Sequence, residues 1–348
     1  MFVAFSKKME HFQKSIFNEL ADYKIKKAKE GQQIIDLSIG SPDLPPPPFV
    51  IEELKSEVGN LHHYKYALDG ISELHDAIHS YYVRNYDVKL NKEDEILTLM
   101  GSQDGLVHIP SVFANEGDII LVPNPGYTAY SAGISLAGAI PYSMPLKQEN
   151  EFLPDLEAIP HSIREKAKLM ILNMPGNPIP TMADEAFFEK VVQFAKKHHI
   201  FLLHDFAYSE LYYERKPISL LSIEGAKDVA IEFNSLSKSF NMAGCRIGYV
   251  VGNETVIQAL KRLKSNLDFG VFIPIQKAAA RALLDKSGYS DHLREVYKKR
   301  RDTLVHGLHS IGWMVENRKH RCSFGRKYLF RSYRQIWHID SLMRRGLL

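Results

Sequence analysis

The apolar residues of this chain follow two patterns, short continuous runs and helical spacing, and these predict an alternation of strands and helices. Short apolar runs bounded by turn residues predict strands at 95–100, 118–123, 168–173, 200–205 and 247–251, and a further short strand ending at Phe233. Apolar residues at helical spacing predict helices at 71–85, 184–199 and 295–313. Helix followed by strand is the order of βαβ units, so the sequence predicts an α/β fold with a mostly parallel central sheet flanked by helices.

The first fifty residues have a different pattern. Residues 6–30 are predicted to form a helix that packs on a core, because four apolar residues fall on one of its sides, namely Phe12, Ile16, Leu20 and Tyr23. A short strand is predicted before Gly40, and the prolines that follow at 45–48 argue against a helix there.

The composition is that of an ordinary globular protein, with 45% hydrophobic and 24% charged residues. A length of 348 residues predicts a large domain with a smaller one. No apolar run approaches the roughly 18–20 residues of a membrane span, and the first residues lack the segments of a secretory leader. Cys245 and Cys322 are the only cysteines, which predicts a reducing cytoplasmic location. His62 and His63 lack partners at metal-ligand spacing, so we expect no metal site.

The net charge of +3 conceals an uneven distribution. Residues 317–348 hold nine Lys and Arg against one acid, a net of +8; the totals of 44 basic and 41 acidic residues therefore leave 35 and 40 elsewhere, a net of −5. A basic segment can contact nucleic acid or a membrane. It can equally be sequence that does not belong to the fold. We expect neither nucleic acid nor a membrane as a partner.

Lys238 is the centre of the predicted chemistry. It lies in NSLSKSFNMAGCRIGYVVG at 234–252, among serines and apolar, glycine-bearing sequence, which predicts that it is buried. Desolvation lowers the pKa of an amine and so frees it as a nucleophile and base that forms a Schiff base with a carbonyl. The hydroxyls of Ser235 and Ser237 and the guanidinium of Arg246 would form a phosphate cradle beside it. A lysine next to a phosphate cradle predicts pyridoxal 5'-phosphate as the cofactor.

The ends of other predicted strands carry further candidates. The turn GSQDG starts a helix at Ser102 and Gln103, and the first N–H groups of a helix form an anion site. NPGYTAY places Tyr127 at the carboxyl end of a strand, where ligands collect in open α/β sheets. Asp205 ends the strand at 200–205, and a carboxylate next to apolar residues requires a cation as partner.

Together with SLSKSFNMAGCRIGY, these motifs resemble, in the same order, those of the class I/II aminotransferases of fold type I, the aspartate aminotransferase-like enzymes that depend on pyridoxal phosphate. The resemblance covers residues 30–315. It implies an enzyme that moves an amino group from an amino acid to a 2-oxo acid through a Schiff base at Lys238, which then moves the α-proton as general base and acid. It also implies a homodimer. The segment SNLDFG is similar to that of enzymes acting on aspartate-like, diaminopimelate-like or alanine substrates.

The resemblance also implies roles for the matching residues. Those that would bind the cofactor are Tyr64, Ser102, Gln103, Tyr127, Asn177, Asp205, Tyr208, Ser235, Ser237, Lys238 and Arg246. Tyr127 would stack on the cofactor ring, Asn177 and Tyr208 would donate to its phenolic oxygen, and Asp205 would pair with its ring nitrogen. Lys238, Asp205 and Tyr208 would be the catalytic residues. Tyr64 would reach the phosphate in the neighbouring subunit, and Gly40 would approach the substrate.

The sequence departs from the family pattern in two places. Ile179 and Pro180 stand where Thr-Gly would follow Asn177. After residue 316 the arginine motif that holds the substrate carboxylate is missing, and the chain continues as if its reading frame were shifted or its terminus altered, so no substrate arginine is assigned. The implied domains are an amino-terminal arm with part of the small domain at 1–48, a large cofactor-binding domain at 49–287, and an atypical carboxyl-terminal part of the small domain at 288–348, truncated after about 316.

Two other functions remain open on this sequence. A pyridoxal-phosphate-dependent C–S β-lyase would use the same lysine and aspartate on the same scaffold, and only its products would distinguish it. The chain could also be a cofactor-binding protein that has lost activity because of the altered carboxyl terminus.

Overall fold

The computed structural model describes residues 3–12, 16–36 and 40–312. Its centre is a seven-stranded sheet of β1 (Ile96–Leu99), β2 (Ile119–Asn124), β3 (Ile140–Pro145), β4 (Ala167–Asn173), β5 (Phe201–Asp205), β6 (Ala230–Ser235) and β7 (Gly248–Gly252). The strand order is β1-β7-β6-β5-β4-β2-β3. β7 is antiparallel to both of its neighbours, and every other pair is parallel. The predicted mostly parallel α/β fold is confirmed.

Twelve α-helices are assigned within the described ranges. They are α1 (Ile16–Lys29), α2 (Pro48–Val58), α3 (Ser72–Tyr86), α4 (Ser102–His108), α5 (Pro110–Phe113), α6 (Thr128–Ala137), α7 (His161–Arg164), α8 (Glu185–His198), α9 (Leu236–Ser239), α10 (Glu254–Lys264), α11 (Ile273–Leu283) and α12 (Tyr289–Ser310). The helices predicted at 71–85 and 184–199 are confirmed as α3 and α8. The third predicted helix is α12, which begins six residues earlier than the sequence indicated.

Apart from the edge strand β3, the sheet is buried on both faces, as is usual for parallel pairing. Successive residues of a strand point to opposite faces, and in β4 Met170 and Leu172 join one apolar cluster while Leu169 and Ile171 join the other. The first cluster is completed by helices such as α3, α8 and α11, and the second by α4, α6 and α10. This continuous burial explains why the strands read as apolar runs rather than as alternating patterns.

The prediction for the first thirty residues is wrong in two respects. Residues 7–11 form a 3-10 turn, and Phe12 is extended at its end, so one helix does not run from residue 6 to residue 30. From residue 18 to its end α1 buries no side chain, and Tyr23 is 56% exposed, so this part of the helix does not pack on the core.

The edge strand β3 and the proline segment both differ from what the sequence predicted. β3 lies at the edge of the sheet and was not predicted, because it contains two prolines and most of its side chains are exposed or half-buried. Pro48 begins α2, where the missing N–H of proline costs nothing. The end of the predicted strand before Gly40, and the whole basic segment at 317–348 with Cys322, lie outside the described residues. Within the described ranges, no helix combines the length and the apolar character needed to cross a membrane.

Candidate functional site

The predicted residues converge at the carboxyl edge of the sheet, where β5 and β6 end side by side. Asp205 is the last residue of β5 and pairs with Phe233 of β6. β6 ends at Ser235, and the single turn of α9 that follows it carries Lys238. The expectation that Asp205 and Lys238 follow neighbouring strand ends is therefore confirmed.

Asp205 is buried, with 4% of its surface exposed, and its side chain is held by hydrogen bonds. The hydroxyl of Tyr130 donates to Oδ2 at 2.7 Å, and the backbone amide of Ala207 donates to Oδ1 at 3.3 Å. Burial, followed by the charge of Asp205, raises the pKa of Tyr130 well above its ordinary value, so this phenol remains a donor. The sequence analysis did not assign Tyr130, although it lies in the quoted NPGYTAY motif.

Lys238 is half-buried rather than buried, which corrects the prediction from its apolar surroundings. Its neighbours Ser237 and Ser239 pack inward, but the lysine side chain leaves α9 on the open side, and its Nζ donates to the carbonyl of Gly40 at 2.7 Å. Ser235 caps this turn, since its Oγ accepts from the amide of Ser237. The structure thus brings the predicted lysine and the predicted substrate-side glycine together.

Arg246 lies against the start of α4, where the sequence predicted an anion site. A Cβ at Gly101 would come within 2.7 Å of Nη2 of Arg246, and a Cβ at Gly248 would come within 2.6 Å of the amide nitrogen of Ser102. Gly248 is therefore required for the approach of β7 to the first turn of α4, and Gly101, at a left-handed φ of 78°, leaves room for the guanidinium of Arg246. Arg246 itself adopts a left-handed φ of 51° and is exposed. Arg246 and the first turn of α4 are therefore neighbours, and their role as a phosphate cradle with Ser235 and Ser237 stays a prediction.

Tyr127 lies over this region and contacts the same helix. Its hydroxyl donates to Oε1 of Gln103 at 3.0 Å, and its ring meets Tyr130 edge-on at 5.8 Å. Burial raises the pKa of Tyr127, and the nearby Asp205 and Tyr208 raise it further, while Arg246 acts in the opposite direction. Four of the predicted residues, Tyr127, Asp205, Tyr208 and Arg246, are therefore close enough to influence one another electrostatically.

Asn177 is held by Asn173, a residue that the sequence analysis did not assign. Oδ1 of Asn173 accepts from the amide of Asn177 at 2.6 Å, and Nδ2 of Asn173 donates to the carbonyl of Asp205 at 2.8 Å. A Cβ at Gly176 would come within 2.3 Å of the Asn173 carbonyl, so the turn is tight. The departure at Ile179 and Pro180 does not separate Asn177 from the site, because Asn173 ties it to the end of β5.

Tyr64 occupies a different place. Its hydroxyl donates to the carbonyl of Val58 at 2.9 Å, its ring meets Phe272 edge-on at 5.2 Å, and 63% of its surface is exposed. The rings of Tyr66 and Phe269 form a second pair, tilted against each other with centroids 4.8 Å apart, and both are exposed. The structure therefore does not bring Tyr64 into the site of its own chain, and it shows an exposed aromatic surface there.

A buried ion-pair cluster stabilises the base of the anion site. Lys264 of α10 is 3% exposed, and its Nζ donates to Asp104 of α4 at 3.1 Å and also to Asp268. Burial acts to raise the pKa of Asp104, but hydrogen bonds from His108 and the charge of Lys264 outweigh it and lower this pKa to about 2. Asp104 also accepts from the amide of Met100, so the cluster fixes the turn that precedes Ser102.

We expect Lys264→Met to lower the free energy of unfolding by about 3–5 kcal/mol, because it leaves two buried carboxylates without their cation. Lys261→Met is the matched control on the same helix, since Lys261 pairs with Asp69 at the surface and should cost less than about 1 kcal/mol. Urea denaturation of the two variants measures the difference. Equal losses in the two variants would show that the burial of Lys264 contributes nothing further to the free energy of unfolding.

The same cluster predicts that the folded protein loses stability in acid. The pKa of Asp104 lies below its ordinary value of 3.8. Its contribution to the free energy of unfolding is therefore complete above pH about 4 and is lost as the pH falls towards about 2. A shift of this size corresponds to about 2 kcal/mol.

Comparison with known proteins identifies the family. The model of the family described as aminotransferase class I and II matches residues 32–321. This chain belongs to the class I and II aminotransferases. The LL-diaminopimelate aminotransferase of Natranaerobius thermophilus is 44% identical over 307 residues, which cover 87% of this chain and 79% of that protein. The enzyme of the same name from Moorella thermoacetica is 45% identical over 300 residues, covering 85% and 77%.

Solved structures agree with this assignment. Substrate-bound BacF from Bacillus subtilis superposes with a TM-score of 0.90 at 39% identity, covering 92% of this chain and 82% of that one. A probable N-succinyldiaminopimelate aminotransferase from Thermus thermophilus gives a TM-score of 0.80 at 32% identity, covering 85% and 80%. This class I/II aminotransferase therefore has the fold type I architecture and transfers amino groups, and these comparisons give no support to the β-lyase alternative. The family generally depends on pyridoxal phosphate, acts on amino and 2-oxo acids, and is typically dimeric.

Proposed function

We propose that this aminotransferase binds pyridoxal phosphate at the carboxyl edge of its sheet and uses it to move an amino group from LL-diaminopimelate to a 2-oxo acid. The observation that carries the proposal is the placement of Lys238 and Asp205 after adjacent strands, with Arg246 against the first turn of α4. The substrate rests on the relatives above, which share that name at 44% and 45% identity.

The residues present fit this cofactor. Its phosphate carries about two negative charges and needs several donors; the amides of Ser102 and Gln103, the hydroxyls of Ser235 and Ser237 and the guanidinium of Arg246 are donors of that kind. A side chain at Gly101 or Gly248 would collide with Arg246 or with the amide of Ser102, so these two glycines leave the space that the donors need.

Each remaining residue has a role at a stated atom. When bound, pyridoxal phosphate supplies a carbonyl carbon open to amines and a ring that accepts electrons. Nζ of Lys238 would bind that carbon until an amino acid displaces it, and the freed amine would then take the α-proton as a base and deliver it to the same carbon as an acid. The buried carboxylate of Asp205 would keep the ring nitrogen protonated. Tyr208 and Asn177 would donate to the phenolic oxygen, and Tyr127 would cover the ring.

We also propose that the active form is a homodimer, in which Tyr64 reaches the cofactor phosphate of the neighbouring subunit. The exposed Tyr64 side chain and the exposed ring pair of Tyr66 and Phe269 support an interface at this place. The division into an amino-terminal arm at 1–48, a large domain at 49–287 and the small-domain remainder from 288 is part of the same proposal. Light scattering that gives the mass of one chain, 39.7 kDa, with cofactor present would contradict the dimer.

The experiment is an absorbance titration of the purified chain with pyridoxal phosphate, followed by LL-diaminopimelate, L-aspartate or L-alanine and detection of the 2-oxo product by mass spectrometry. We expect saturable binding and a kcat/KM for LL-diaminopimelate about a hundredfold above the other two amino acids, because a site built for the second amino-carboxylate group rejects substrates that lack it. Absence of pyridoxal phosphate binding would refute the proposal that it is the cofactor. Faster conversion of aspartate or alanine would refute the substrate.

A further inference from the structure

A second polar cluster lies on the opposite face of β5 from Asp205 and has no role in the chemistry above. His204 and Glu232 are paired residues on β5 and β6, and both are completely buried. Nδ1 of His204 lies 2.8 Å from Oε2 of Glu232, and Nε2 lies 3.0 Å from the carbonyl oxygen of Met174. The ring therefore spans from β6 to the residue that follows β4.

The partners of Glu232 determine where the protons lie. Its carboxylate accepts from the hydroxyl of Tyr82 at 2.7 Å, from Ser219 and from the amide of Leu220 at 3.0 Å. The hydroxyl of Ser219 accepts from another amide, so its own hydrogen points to Glu232. The Met174 carbonyl can only accept. Nε2 of His204 therefore carries a hydrogen, whichever of His204 and Glu232 holds the proton between them.

Met174 belongs to the turn that presents Asn177. Asn173 holds this turn on the side of Asp205, through its bonds to the Asp205 carbonyl and the Asn177 amide. His204 holds the next carbonyl from the other face of the sheet. The turn between β4 and Asn177 is thus fixed from both faces.

We propose that His204 is a positioning residue, whose Nε2–H fixes the Met174 carbonyl and thereby the donor group of Asn177. The proposal rests on the proposed function, because it assigns an effect on cofactor binding to a residue that does not reach the cofactor. It predicts that the hydrogen bond to Met174, rather than the contact with Glu232, determines how the cofactor is held.

Two amide variants separate these contacts. In His204→Gln the side-chain amide reaches the place of Nε2 and can still donate to Met174, whereas in His204→Asn it reaches only the place of Nδ1 and faces Glu232. Both variants lose the imidazole ring. We expect His204→Gln to bind pyridoxal phosphate within about threefold of wild type and His204→Asn to bind it about tenfold more weakly, the effect of one lost hydrogen bond.

Three readouts test the proposal. Fluorescence titration gives the cofactor Kd, the pH titration of the bound cofactor's absorbance reports the donors around its phenolic oxygen, and thermal denaturation without cofactor reports stability alone. We expect His204→Asn to shift the pH midpoint and His204→Gln to leave it near that of wild type. In an Asn177→Ala background, His204→Asn should weaken binding no further, because the donor that it positions is already absent.

Several outcomes would overturn the proposal. Equal cofactor affinities and pH midpoints for the two His204 variants would do so, as would additive effects of His204→Asn and Asn177→Ala. Glu232→Gln serves if the histidine variants do not fold, since its side-chain amide can donate to Nδ1, which leaves the hydrogen on Nε2 and keeps the Met174 bond in place. We expect it to keep the wild-type Kd, and a tenfold weakening would refute the proposal. If wild type itself binds no cofactor, the proposed function fails instead.

Discussion

Lys238→Ala should lower the rate of amino transfer by about four orders of magnitude, the largest loss we expect from any single substitution. A positioned general acid–base group contributes about 10²–10⁴-fold, and this lysine is proposed also to supply the nucleophile. Binding of pyridoxal phosphate should persist in weakened form, because the cradle around Arg246 and α4 remains. Single-turnover kinetics with a saturating amino acid measure the loss directly.

Two other lysine variants make this result specific. Lys238→Arg retains the positive charge but cannot act as a base, since a guanidinium stays protonated, so it should be as inactive as the alanine variant. Lys216→Ala is the control: burial lowers the pKa of Lys216, yet its Nζ donates to Asn85, away from the strand ends. We expect it to retain activity within about threefold. Activity in Lys238→Ala near that of the control would remove Lys238 from the mechanism.

The contrast between these lysines shows what sequence can predict here. Lys238 was identifiable because serines and glycines surround it within a few residues, a local signal. Lys216 and Lys264 are equally or more buried, but the sequence around them carries no such signal. Lys264 bonds to Asp104 across 160 positions, and Tyr130 bonds to Asp205 across 75. Such partners are determined by the packing of helices on the sheet, which periodicity alone does not specify.

The same distinction applies to the fold. The buried strands and α3 and α8 were predicted nearly to their ends, because a sheet covered on both faces leaves long apolar runs. The edge strand β3 and the exposed helix α1 were not predicted correctly, since neither is covered on enough sides to impose a pattern. The prediction that Lys238 is buried was also wrong, because apolar neighbours in the sequence do not determine in which direction one side chain points.

Asp205→Asn should lower kcat/KM by about 10²–10³-fold while leaving the fold intact. The amide keeps an acceptor for the hydroxyl of Tyr130 and fits the same volume, so the shorter of the two hydrogen bonds to this side chain survives, and only the 3.3 Å contact with the Ala207 amide is given up. What is lost is the negative charge, and removal of one preorganised electrostatic partner in a desolvated site costs about that much. Steady-state kinetics measure the rate, and thermal denaturation checks that the variant is folded.

Two matched variants identify the cause of the loss. Asp205→Glu retains the charge but moves it along the side chain, so it should recover part of the rate that the asparagine variant loses. Tyr130→Phe retains the charge and its position and removes one donor to it, and we expect a loss of about tenfold. If Asp205→Asn kept a rate within threefold of wild type while Tyr130→Phe did not, the hydrogen-bonded frame rather than the charge would be what the reaction requires. The proposed pairing of Asp205 with the cofactor's ring nitrogen would then be wrong, although the position of the site would stand.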